Sequence, residues 1–148
     1  MPRRLLASLL ATRPMVVPLV LRLAAGVVFV AFSIGKFTRY DSESTAFDRY
    51  GIPFPEVTTY LVGVLELAGG VLLIVGLLTR PVAVALAGNM IGAISTAGRI
   101  DGGPVHLGLA PALLVTMLVL IVTGAGARSL DLRLHGSLIG GPAAPRVA

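Results

Sequence analysis

The chain has 148 residues, of which 55% are hydrophobic and only 13% charged, and a mean hydropathy of +0.92. A water-soluble domain keeps about a quarter of its residues charged, so this composition excludes an ordinary soluble fold and points to a lipid environment. The net charge of +5 sits at the termini and between apolar runs rather than in one stripe, which excludes nucleic-acid binding. The absence of cysteine excludes disulfide exchange, a thiolate nucleophile and a cysteine-held iron–sulfur cluster.

The N-terminal "MPRRLLASLLATRP" has a basic start and a short apolar stretch interrupted by Arg13. It reads as an uncleaved amphipathic segment lying in the membrane interface. The first predicted span is 15–35, which Pro14 opens. Its Arg22, Gly26, Phe29, Ser33 and Lys36 recur at helical spacing and share one face, opposite Val, Leu and Ala. That face is predicted to look into a bundle. Lys36, close to the outer interface, is expected to snorkel. A polar loop follows at 36–56.

The second span, 57–78, places Gly63, Glu66, Gly70 and Gly76, with Gly69 adjoining, on one broad face. Small residues let helices pack closely where lipid supplies no hydrophobic drive. With Gly26 of the first span, these four glycines are the expected helix-packing positions: Gly26, Gly63, Gly69, Gly70 and Gly76. Thr79-Arg80-Pro81 turns the chain tightly into a third span, 81–97, with Ala85, Asn89, Gly92 and Thr96 on one side. Asp101-Gly102-Gly103-Pro104 breaks it from the fourth span, 105–125. His106 opens that span near Lys36 and Asp101, as a loop or capping residue and not a metal ligand. "GAGAR" ends the span, and 126–148 form a tail carrying His135. Two histidines at opposite ends exclude a bis-histidine haem within one chain.

A bilayer core of about 30 Å takes about 20 helical residues, and the runs are continuous and rich in Leu and Ala rather than alternating as barrel strands do. The expected fold is therefore an all-α, four-transmembrane-helix bundle forming a single domain. Seven Lys and Arg fall on the side of the termini against four on the other, so the N- and C-termini are expected to be cytoplasmic.

A rise of 1.5 Å per residue puts Arg22, Glu66 and Asn89 within reach of one another, as a buried polar cluster. A carboxylate in lipid must pair, be protonated or face water. An Arg22–Glu66 pair would serve either as structural glue or as a ligand- or proton-handling site. Lys36, His106 and Asp101 are the outer-side polar candidates. No residue is assigned a catalytic role and no metal site is expected.

Taken together, Arg22, Gly26 and Phe29, then Gly35-Lys36-Phe37, "YGIPFP" at 50–55, "ELAGGVLLIVGLLTR" at 66–80 and "GAGARSLD" at 124–131 resemble the DoxX family of small four-helix bacterial membrane proteins. The family pattern has an acid near the start of span four, where this chain has only His106. The resemblance implies a multi-pass protein of the bacterial inner membrane, serving as a membrane subunit or anchor of a redox or oxidative-stress complex. It implies soluble redox enzymes on the cytoplasmic face as partners, beside the lipid bilayer; a second copy of the chain would enlarge the narrow interior. A quinone is the cofactor most compatible with the residues, since it needs an apolar slot and one or two polar groups. As an isolated chain the protein offers no intrinsic redox centre or nucleophile. The alternative is a small transporter or channel-like protein using the Glu66/Arg22 pair to move a proton or anion.

Overall fold

The computed structural model describes residues 15–139, so the N-terminal segment with Arg3, Arg4, Arg13 and Pro14 lies outside the described residues. The elements are α1 (Val16–Thr38), α2 (Tyr40–Arg49), α3 (Pro55–Val75), α4 (Thr79–Ser95), α5 (Ala97–Ile100), a π-helical turn (Val105–Leu109), α6 (Ala110–Thr123) and α7 (Leu130–Ile139). No strand occurs among the described residues. Four helical stretches are long and apolar enough to cross a membrane: Val16–Thr38, Pro55–Val75, Thr79–Ile100 and Val105–Thr123. The third was expected to be short; α5 carries it on past a break at Thr96, giving 22 residues. The second ends at Val75 instead of Leu78.

Glycine chemistry sets the packing of α1 on α3. A Cβ at Gly26 would lie 2.8 Å from the carbonyl oxygen of Gly70, and one at Gly70 would lie 2.8 Å from that of Gly26. The two backbones touch there, which only glycine allows. Gly69 receives the side chain of Leu86 on α4, and Gly63 receives the ring of Phe37. Gly76 has a role beyond close packing. A Cβ there would lie 2.7 Å from Ser129 Cβ and 2.8 Å from Arg22 Nη1. It also ends α3 at φ +72°, where its N–H and that of Leu77 return to Leu72 and Leu73 carbonyls in a left-handed C-cap.

The core runs through Phe29, Leu73, Leu86, Met90, Met117 and Leu120. Outward faces carry exposed Val20, Val27, Leu61, Val64, Val84, Ile91, Val115 and Val122. A soluble protein would not leave so much contiguous apolar surface to water.

The expected polar loop is largely a helix. In α2, Asp41 and Glu43 fall in the first turn and Arg49 in the last, which matches the helix dipole at both ends. None of its residues is buried. The chain also folds back after α6: Ala127 N–H donates to Met15 O, and Asp131 N–H, in the first turn of α7, donates to Gly76 O.

Candidate functional site

Two separate polar centres occupy opposite ends of the bundle, where the sequence suggested one. At the end bearing the termini, Arg22 is 1% exposed. Its Nε donates to Ala125 O at 2.9 Å, Nη1 to Leu73 O at 2.8 Å and Ile74 O at 2.5 Å, and Nη2 to Arg128 O at 3.1 Å. These are carbonyls at and beyond the ends of α3 and α6. The last four carbonyls of any helix lack intrahelical donors, and a guanidinium carries five N–H groups in one plane. Arg22 therefore ties two helix ends together. The buried carboxylate of Asp131 does the converse, accepting from the N–H groups of Leu78 (2.7 Å) and Thr79 (2.9 Å) at the start of α4.

Arg22 thus does not pair with Glu66, and the register explains why. With Gly26 against Gly70, one turn toward the termini brings Arg22 level with Ile74. Glu66 lies one turn the other way. Long side chains on a helix also lean toward its N-terminus. Arg22 therefore leans away from Glu66 and toward the orphan carbonyls.

At the loop end, Lys36 Nζ lies 2.7 Å from Glu66 Oε2, and the two side chains are only 12% and 6% exposed. Asn89 Nδ2 donates to Glu66 Oε1 at 2.9 Å. Lys36 does not snorkel outward. Because α1 and α3 are antiparallel, Lys36 leans down and Glu66 leans up, so the two side chains converge. The predicted partnership of Glu66 and Asn89 holds, with Lys36 in the place assigned to Arg22.

This triad forms part of the lining of a cavity of about 850 Å³. Phe32, Phe47, Ile52 and Val62 contribute apolar wall, while Arg39, Glu43 and His106 contribute polar groups. A smaller cleft of about 80 Å³, running toward Met90 and Leu113, also touches Lys36, Glu66 and His106. His106 sits on the π-helical turn, its Nδ1 3.3 Å from Gly102 O. π-Helical turns recur at functional sites because they rotate side chains out of α-helical register.

Asp101 lies outside the lining residues and fastens the cavity's covering segment. Its Oδ2 accepts from Arg49 Nη2 at 2.5 Å and from the Tyr50 hydroxyl, linking the end of α2 to the end of the third span. Burial pushes the Tyr50 phenol above its ordinary value, and its hydrogen bond to Asp101 acts in the same direction. Sequence reasoning missed Tyr50 and the α2 residues. The signal available was the acid-first, arginine-last charge order of 40–49. Among the described residues no group of three His, Cys, Asp or Glu side chains could hold a metal ion.

The DoxX family model matches residues 17–99, more than half of the chain. The chain belongs to the DoxX family. Lys36, Glu66 and Asn89 all lie within that DoxX segment, whereas His106 lies beyond it. Among relatives, the chain is 36% identical to "Uncharacterized membrane protein Rv3486" of Mycobacterium tuberculosis over 77% of this chain and 78% of the relative. It is 37% identical to "Putative oxidoreductase CatD" of Bacillus subtilis over 53% of this chain and 57% of that protein. It is 26% identical to "Inner membrane protein YphA" of Escherichia coli over 83% of this chain and 93% of that protein. No solved structure matches. The DoxX membership and the four apolar spans make this a multi-pass membrane protein.

Proposed function

We propose that the protein is a membrane subunit of a redox system and holds a quinone-type ligand in the loop-end cavity, with Lys36, Glu66 and Asn89 as its polar contacts. The observation that carries this reading is a hydrogen-bonded triad, built around the buried Glu66, in the wall of a cavity of about 850 Å³. Small-molecule sites span about 300–1,000 Å³ and combine apolar walls with few polar groups. The name of the Bacillus subtilis relative agrees with a redox setting.

The residues fit such a ligand. Phe32, Phe47, Ile52 and Val62 offer apolar surface for a ring. Lys36 has three N–H donors, of which the Glu66 bond uses one, so it can donate to a carbonyl oxygen. Glu66 is positioned to accept or return a hydroxyl proton, and Asn89 fixes its second oxygen. The charged lining residues are Lys36, Arg39, Glu43 and Glu66, two of each sign. A site balanced in this way favours a neutral ligand over a free anion. A bound quinone supplies two-electron, two-proton chemistry. The chain's own part is to bind the ring, exclude water and hold the proton; a partner subunit exchanges the electrons.

The alternative of a proton or anion path through an Arg22–Glu66 pair loses its basis, because Arg22 is spent on four carbonyls at the other end of the bundle. Calorimetric titration of nanodisc-embedded protein with ubiquinone tests the proposal. Lys36→Met is expected to weaken binding by at least about tenfold, the value of one charge-assisted hydrogen bond. Tyr60→Phe, at an exposed position outside the cavity, is expected to leave it unchanged. Equal affinity in Lys36→Met, or no binding by the unaltered protein, contradicts it.

A further inference from the structure

Glycines on α1, α3 and α4 differ in what surrounds them. Gly26, Gly63, Gly69 and Gly70 each meet an atom of another helix within 3.1 Å of where a Cβ would stand. Their small size is explained by close packing. Gly88 and Gly92, one turn apart on α4, meet nothing within 4 Å. Glycine inside a helix costs stability relative to alanine, and at these two positions no packing offsets it.

Both glycines are exposed and both line the cavity, so they stand at an opening of it; the exposed lining residues Phe32 and Val105 mark a second opening, beside α1 and the π-helical turn. The seam between α3 and α4 is bridged where Leu86 meets Gly69 and where Asn89 reaches Glu66. Toward the loop end of those contacts, α3 presents Thr58 and Val62, and the third span presents Gly92 on α4 and Thr96 at its break, as walls of the same cavity. The outward neighbours Leu61, Val84 and Ile91 are each more than half exposed and apolar, which places lipid chains beside the opening. On the loop side the cavity is covered by α2, held by Arg49 and Tyr50 on Asp101.

We infer that Gly88 and Gly92 form a lateral portal through which a lipid-dissolved amphipathic ligand passes from the bilayer into the cavity, its polar head toward Lys36 and Glu66 and its apolar tail left in the slot. This rests on reading the cavity as a ligand site. It makes the two glycines specificity-determining: they admit a tailed ligand and would be obstructed by any large side chain.

Two measurements test the portal separately from the quinone reading. The chain has no cysteine, so Gly92→Cys can carry a single spin label in vesicles. The label should collide more with lipid-dissolved oxygen than with a water-soluble nickel chelate; the reverse order overturns the portal, whatever the cavity binds. The second is kinetic. Gly88→Phe/Gly92→Phe should slow capture of ubiquinone from vesicles by about tenfold or more. It should slow capture of the tailless dimethoxy-methylbenzoquinone head, supplied in buffer, far less. An unaltered capture rate overturns the portal. Gly88→Ala/Gly92→Ala is expected to raise the melting temperature, and a melting temperature of the Phe variant no lower than that of the unaltered protein separates slowed capture from unfolding. If the unaltered protein binds neither quinone, the quinone reading fails, and the spin-label result alone decides the portal.

Discussion

Lys36, Glu66 and Asn89 form a charge pair with one neutral partner in the loop-end half of the bundle. Removing one member of a buried ion pair strands the other, at a cost of about 3–5 kcal/mol. Glu66→Ala is therefore expected to destabilise the bundle by about 3 kcal/mol in a detergent unfolding titration. The double variant Lys36→Met/Glu66→Leu is expected to cost less than Glu66→Ala alone, since it leaves no unpaired charge. Arg22→Leu should be more damaging than either, because it leaves carbonyls of Leu73, Ile74, Ala125 and Arg128 without their donor, each worth about 1–3 kcal/mol if buried and unpaired. A smaller loss for Arg22→Leu than for Glu66→Ala would contradict the assignment of Arg22 as the tie between helix ends. The sequence identified Arg22, Glu66 and Asn89 as interior, expected Lys36 to snorkel outward, and misjudged which of them meet. Depth counted from nominal span edges does not fix how one helix registers against another, and about two turns of α3 separate Glu66 from Ile74. The Gly26–Gly70 crossing sets that register, and a list of glycines on two faces does not say which glycine meets which.

The four apolar runs were legible as elements because lipid demands continuous hydrophobic helices. Residues 40–49 were less so, since a helix with no buried face has no apolar periodicity to read; only its end charges betray it. That helix is held at its C-terminal end by Arg49 and Tyr50 on Asp101. Asp101→Ala should loosen it, and a cysteine placed at Phe47 should then react faster with a water-soluble maleimide, within the fivefold or so that an exposed ion pair is worth. The pH dependence follows from Tyr50. Its phenol is raised above the usual value of about 10, so the neutral form is the one the fold favours. The stabilisation is whole below about pH 10 and is lost as pH rises through the folded-state value. Labelling at Phe47→Cys, corrected for maleimide chemistry with Tyr50→Phe as control, should accelerate above that pH only when Tyr50 is present. At the other end, Gly76 at φ +72° stands against Arg22 and Ser129; Gly76→Ala should cost about 1–2 kcal/mol from the left-handed backbone alone, with more from the clash.

At the scale of the molecule, the bundle divides its labour by end. The end bearing the termini is stitched by Arg22 and Asp131 to backbone groups and is built for rigidity. The loop end is hollow, with Lys36 paired to Glu66 and its cover fastened by Arg49 and Tyr50 on Asp101 and by the Tyr40 hydroxyl on Glu56 O. The excess of Lys and Arg on the side of the termini predicts that this rigid end faces the cytoplasm. A single cysteine introduced at Arg133, tested in inverted against right-side-out vesicles, should react with an impermeant reagent only in the inverted ones. The chemistry of the hollow end is the central claim. The measurement that reaches it most directly is mass analysis of the protein extracted gently from its own membrane. The account predicts a stoichiometric quinone with the unaltered chain and its loss in a folded Glu66→Gln variant. A protein that emerges empty, or a quinone retained equally by Glu66→Gln, would contradict it.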